Sequence, residues 1–209
     1  MSTVAVRGRP VVHAKQDEQK AKLLAAAQKL LIEKSYRSVT IRELAETADV
    51  NSAMIGYYFK NKEGLFIALM DKMSEQLFIT MQQVQLSDNP LRSFIEMMIT
   101  KFSINRGFAR LIYDEFMTSD SQLGHDFMER FPKRMSKMLP LLIIKNTAIT
   151  DPIKANYAAF SLMMLIITPF IAGPVRKVGW GISDQEIKSP AWSEHIYKLF
   201  MLGCSEEIN

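Results

Sequence analysis

Residues 40–62 read T-I-R-E-L-A-E-T-A-D-V-N-S-A-M-I-G-Y-Y-F-K-N-K, and the fold is decided in this stretch. Thr40 followed three residues later by Glu43 is a capping box. The Thr hydroxyl accepts from the Glu43 N–H, and the carboxylate reaches back to the Thr40 N–H. Ile41, Leu44, Ala45 and Ala48 recur at helical spacing and form an apolar stripe. Asp49-Val50-Asn51 breaks that pattern, with Val50 apolar enough to plug an angle between two helices, and Asn51 is a good N-cap for a second helix through Tyr58. Two helices this short need a third to pack on. The spacing therefore predicts a helix-turn-helix.

The third helix lies just upstream, over residues 17–34, with Leu23, Leu24, Ala27, Leu30 and Leu31 on one face. Asp17 and Glu18 near its start and Lys34 near its end complement the helix dipole. Ahead of it, residues 1–16 read as a flexible basic arm carrying Arg7-Gly8-Arg9-Pro10. Two arginines around a glycine also suit an extended segment entering an A·T-rich minor groove, where negative potential is concentrated. Both readings of the arm stand at this stage.

Charge agrees with a nucleic-acid partner. The net charge of the 209 residues is +4, but residues 1–62 hold eleven Lys/Arg against six Asp/Glu, while residues 63–209 are near neutral. A basic module on a neutral body is the electrostatic footprint of a DNA binder. The outward positions of the second short helix are Ser52, Ala53, Gly56 and Tyr57, beside Met54. Thr40, Arg42, Asn51, Tyr58 and Lys62 sit at helix termini or rims, where they can hold phosphates. Bidentate readers such as Arg or Gln are missing from the outward set. The helix is thus expected to read thymine methyls and shape as well as hydrogen-bond patterns.

At these residues the chain resembles the tetracycline-repressor-like (TetR) regulators. The resemblance covers roughly residues 15–70. It rests on Ala27, Leu30, Leu31 and Tyr36, then Val39-Thr40-Ile41, Leu44-Ala45 and Ala48, then Val50, Ile55, Tyr58-Phe59, Lys62-Glu63 and Leu65-Phe66. It departs at Gly56, where the family often places an aromatic that touches DNA, and at Asp49, where Gly is frequent. It implies an all-α protein of about nine helices. Residues 17–62 would form the DNA-binding domain and residues 63–209 a ligand-binding and dimerisation domain. It implies a homodimer that binds double-stranded DNA at a pseudo-palindromic operator, pairs through its last two helices and responds to a small-molecule effector. The alternative is an architectural or division-control DNA-binding protein of the same fold without an effector.

The body supports a helical reading. Helices are expected over 62–85 with Asn61 as cap, 91–103, 108–117, 121–145 with a break near Phe131 before Pro132, 151–175 and 189–204. Residues 176–188 read as a loop. Most of the fourteen methionines lie from Met70 onward among many phenylalanines, and such pliable side chains fill irregular space. The apolar effector pocket that the resemblance implies is expected at Phe94, Met98, Phe102, Tyr113, Phe116, Phe127, Phe131, Met163 and Ile167, with a hydrophobic ligand.

Other classes find little support. His13, His125 and His195 are isolated, no Cys/His/carboxylate group has metal spacing, and no cofactor is implied, so an enzyme is not expected. Residues 158–175 are uncharged over eighteen positions, but Ser161, Thr168, Pro169 and Gly173-Pro174 interrupt them, which speaks against a membrane span. Cys204 is the one cysteine, so no internal disulfide forms, and it reads as a small apolar residue in a cytoplasmic protein.

Overall fold

The structure, a computed structural model, describes residues 9–117 and 121–205, with the side chains of 9–13, 116, 117 and 205 left aside. Among the described residues there are eleven α-helices and no strand. The first described helix is α1 (Arg9–Glu33), which packs on α2 (Ile41–Ala48) and α4 (Lys62–Gln85), while α3 (Ala53–Phe59) packs on α4. This is the three-helix module and its connection to the body. The first helix starts at Arg9 rather than near residue 17. Pro10 is tolerated in a first turn, and nothing from Val11 to Gln16 breaks a helix.

The local signals act where they stand. The Thr40 hydroxyl accepts from the Glu43 N–H at 3.2 Å while the Thr40 N–H donates to Glu43 Oε2 at 2.9 Å. Asn61 caps α4 by accepting from Gly64 at 2.7 Å, and Asn89 caps α5 (Pro90–Ile104) by accepting from Arg92 at 3.1 Å. Asp151 accepts from Ile153 and Lys154 at the start of α9 (Pro152–Ile171). The expected break falls at Phe131, between α7 (Gln122–Arg130) and α8 (Pro132–Asn146).

Three expectations change. The sixth helix is α6 (Arg106–Leu111) followed by a π-helical turn, Ile112–Met117. The long apolar helix stops at Ile171, and the segment expected to be a loop begins with a further helix, α10 (Gly173–Trp180), closed by Gly181 at φ +67°. Pro174 sits in the first turn of α10, where it starts a new helix instead of extending the old one. The last helix is α11 (Pro190–Ser205).

One continuous core joins module and body. Leu23, Leu44, Ile55, Leu65 and Phe66 lie at its amino-terminal end, and Met81, Phe94, Ile95 and Met98 lie in the body. Ile41, counted above with the inward stripe, is 44% exposed, because its place in the first turn of α2 lies beyond the α1 contact. By length and composition α9 could cross a membrane. Instead, Ala155, Leu162 and Ile166 bury one face of it in the core, leaving Tyr157 and Phe160 outward.

Candidate nucleic-acid interface and effector cavity

The turn between α2 and α3 is held from both sides. Asp49 takes the left-handed conformation (φ +52°) that Gly adopts most readily, and Asp tolerates it better than most residues. Val50 N–H returns to Ala45 O at 3.1 Å, and Asn51 Oδ1 accepts from Ala53 N–H at 2.8 Å. The capping carboxylate of Glu43 also pairs with Lys34 at 2.6 Å. The Lys34 ammonium, then the Thr40 N–H and hydroxyl, hold that carboxyl down at about 2. This network fixes α2 on the end of α1, and Ile55, fully buried, fixes α3.

What α3 then presents is Asn51, Ser52, Ala53, Gly56 and Tyr57, all exposed, with Tyr57 the most prominent at 69%. A Cβ added at Gly56 would meet nothing within 4 Å, so packing inside the protein does not require glycine there. Met54 and Tyr58 are half-buried against the core, and the Tyr58 hydroxyl donates to Gln19 of α1 at 2.7 Å. Arg42 is exposed on α2 and pairs with Glu46 at 2.7 Å. Thr40 is exposed as well, its hydroxyl engaged in the capping box.

Lys62 differs from its expected role at the rim. Its ammonium turns inward, donating to the carbonyls of Tyr36 at 3.1 Å and Val39 at 3.0 Å, and lies 4.4 Å from the centre of the Tyr36 ring. Burial pushes its pKa down. The turn at 36–39 brings two carbonyls towards the start of α4, and a cation there satisfies both. Arg7 lies outside the described residues. Arg9 opens α1, and its side chain is not described.

The module meets the body along a second seam. Arg37 pairs with Glu115 at 2.8 Å, and Glu115 is only 2% exposed on the π-helical turn. Gln28 of α1 hydrogen-bonds Asn105 at the head of α6. Gly107 lies so close to α1 that a Cβ there would fall 2.4 Å from the Leu31 carbonyl carbon.

Within the body the expected pocket residues separate into two cavities. A small one of about 80 Å³, between α1, α4, α5, α6 and α7, has Met98, Phe102, Phe127 and Phe131 in its wall. A larger one of about 520 Å³, between α7, α8 and α9, is lined by Phe127, Phe131, Met163 and Ile167. Phe94 is buried in the core and reaches neither, because it lies one turn too early on α5. Tyr113 is about half exposed and also reaches neither, since the π-helical turn rotates it outward. The Phe116 side chain lies outside the described residues. Sequence reasoning missed Ile112, Met135 and Leu139 on the larger cavity and Lys101 on the smaller. The spacing of Met135 and Leu139 on α8, and of Met98, Lys101 and Phe102 on α5, would have pointed to them.

The carboxy-terminal helices leave much apolar surface open. Tyr157, Phe160, Val175, Trp180, Leu199 and Leu202 are all exposed on α9, α10 and α11. Ile196 and Phe200 on the same last helix are buried in the chain's own core. Helix α11 packs on α5 and also touches α9.

A capped helix-turn-helix with an exposed second helix thus stands on an all-helical body that holds an apolar cavity. Residues 23–69 match the family of bacterial regulatory proteins described as the tetR family, and over that stretch the chain is TetR-like. It is 28% identical over 130 residues to the probable HTH-type transcriptional regulator YttP of Bacillus subtilis (strain 168). That match takes in 59% of this chain and 62% of YttP. In fold it is similar to the fatty acid degradation regulator FadR from Bacillus halodurans, with a TM-score of 0.73 and 16% identity, covering 90% of this chain and 97% of that one. FadR from Bacillus subtilis in complex with stearoyl-CoA gives a TM-score of 0.70 and 19% identity over 88% of this chain and 98% of the other.

Proposed function

We propose that the protein is a homodimeric, effector-responsive transcriptional repressor acting in the cytoplasm. Each copy lays α3 in a major groove of a pseudo-palindromic operator, and a small hydrophobic molecule in the body releases the pair. The observation that carries this reading is the outward face of α3, Ser52, Ala53, Gly56 and Tyr57, on a module locked by the capping box and the buried Ile55. Residues 17–62 act as the DNA-binding unit and 63–209 as the effector and dimer unit, with residues 1–16 as a basic extension that adds phosphate or minor-groove contacts through Arg7 and Arg9. Asn51, Thr40 and Arg42 lie where backbone contacts would fall, and Tyr57 with Ala53 where base edges would. The bare Gly56 leaves room for a phosphate or base to approach the helix backbone.

Dimerisation would cover the open apolar face of α9, α10 and α11 and set two recognition helices about 34 Å apart. The Gly107–Leu31 approach and the Arg37–Glu115 pair give the body a grip on the module. An effector that binds one arrangement of α6 better than the other shifts operator affinity in proportion to that difference. The bound stearoyl-CoA in the Bacillus subtilis FadR structure favours an effector with a long apolar part. Testing starts with selection of bound sites from random duplexes, then titration of the selected site with the protein and with lipid and metabolite extracts. Half-sites one helical turn apart and release by an extract fraction are expected. Tight binding to a selected site that no fraction relieves would favour an architectural role.

A further inference from the structure

The two cavities of the body share two lining residues. Phe127 and Phe131 line both, with ring centroids 5.6 Å apart and planes 18° from parallel. They stand one turn apart where α7 gives way to α8, and Pro132 next to them donates no backbone hydrogen bond. Phe127 also packs edge-on against Phe108, and Phe131 lies against Phe78, so the pair is held from the side of the small cavity. The small cavity is lined from α4 by Lys72, which is exposed, and from α5 by Lys101, which is half-buried, and these mark its rim. Arg130 on the same rim is already held by Asp71 at 2.6 Å and Asp126 at 3.0 Å. Neither lysine has a carboxylate partner among the described residues. Inside the rim the wall turns apolar at Leu69, Met98 and Phe102, and the larger cavity beyond is apolar at Met135, Leu139 and Met163.

We propose that the two cavities form one site for a linear amphiphile, a long unbranched apolar chain with an anionic head. The head rests against Lys72 and Lys101, and the chain passes the Phe127–Phe131 pair into the larger cavity. This deepens the effector reading above and rests on it only for the consequence of binding. A cationic or neutral head forfeits the two free ammonium groups. A rigid polycycle cannot pass between two rings, whereas a flexible chain can. The methionines beyond adapt to whatever length arrives.

The test is calorimetric titration of the full chain with hexadecanoate, octanoate, hexadecan-1-ol and hexadecyltrimethylammonium, each below its micelle concentration. Hexadecanoyl-coenzyme A is added in parallel, to tell a free carboxylate from a phosphorylated thioester as source of the anion. One hexadecanoate per chain is expected, with octanoate, the alcohol and the cation each at least tenfold weaker. Lys72→Glu with Lys101→Glu should abolish the advantage of hexadecanoate over the alcohol. Hexadecanoate carrying a diazirine at its chain end should label α8 or α9 on illumination. Equal affinity for acid and alcohol in the wild type, or labelling confined to α4, α5 or the exterior, would overturn the proposal. Operator release is measured separately. Binding that leaves the operator complex intact supports the site and removes the effector role. Release by another compound, with no hexadecanoate binding, removes the site and leaves the effector role.

Discussion

Gly107→Ala should separate the module from the body with a single methyl group. The added Cβ would stand 2.4 Å from the Leu31 carbonyl carbon, 2.6 Å from its oxygen and 2.6 Å from its Cβ. Ordinary Cβ contacts begin near 3.4 Å, so α6 and α1 must part by roughly 1 Å at this point. Two of the three obstructing atoms are main chain, and Leu31 is buried, so no flexible side-chain tip can yield. Overpacking of this kind costs about 1–3 kcal/mol. The better helix propensity of Ala returns up to about 1 kcal/mol. With two main-chain atoms obstructing, the upper part of the overpacking cost, about 2–3 kcal/mol, applies, and the net loss of roughly 1–3 kcal/mol lowers the melting temperature of a chain of this size by about 2–12 °C. The same displacement strains the Gln28–Asn105 and Arg37–Glu115 contacts across the seam, so operator affinity should change along with stability. Thermal unfolding by circular dichroism and operator titration of the same preparation provide the assay. Gly56→Ala is the control for thermal stability alone, because inside the protein its Cβ meets nothing and only the propensity contribution remains. It should raise the melting temperature by roughly 2–4 °C. A Gly107→Ala protein that melts at or above the wild type would refute the close approach of α6 to α1.

Lys62→Ala should cost about 1–3 kcal/mol of stability, since two carbonyls lose their shared cation, and should leave the salt dependence of operator binding unchanged. A salt slope reduced by about 1 would instead return Lys62 to a phosphate. Glu43 contributes stability above its ordinary value of 4.5, and that contribution is lost as pH falls towards about 2, because its folded pKa lies below its unfolded one. Melting curves across this interval should therefore fall more steeply for the wild type than for Glu43→Gln, and parallel curves would remove the capping box from the account. Leu199→Asp places a charge between two open apolar hollows on α11 while the core residues Ile196 and Phe200 stay in place. Sedimentation should show a monomer, and a soluble variant that still sediments as a dimer would refute this interface.

What could be read from the chain alone is what is encoded within a few residues. Thr40 with Glu43, Asn61 with Gly64, and Asp151 with Lys154 satisfy backbone donors three positions away, so their hydrogen bonds need no partner distant in sequence. Pro132 breaks a helix for an equally local reason, the lack of an N–H. The class of fold, the boundaries of most helices and the outward set on α3 all follow from such signals and from the apolar period. The direction of Lys62 does not. It depends on where the carbonyls of Tyr36 and Val39 lie relative to the start of α4, across more than twenty residues of chain. Phe200 and Leu199 are neighbours in an apolar run, and only the packing of α11 on the rest of the body buries the first and leaves the second largely exposed. The pocket divides for the same reason. A cavity is the space left between helices remote in sequence, so composition announced pliable apolar residues while the crossing of α7, α8 and α9 decided which of them face an opening. Helical period assigns a side chain to a face, but what that face meets is set by the other ten helices.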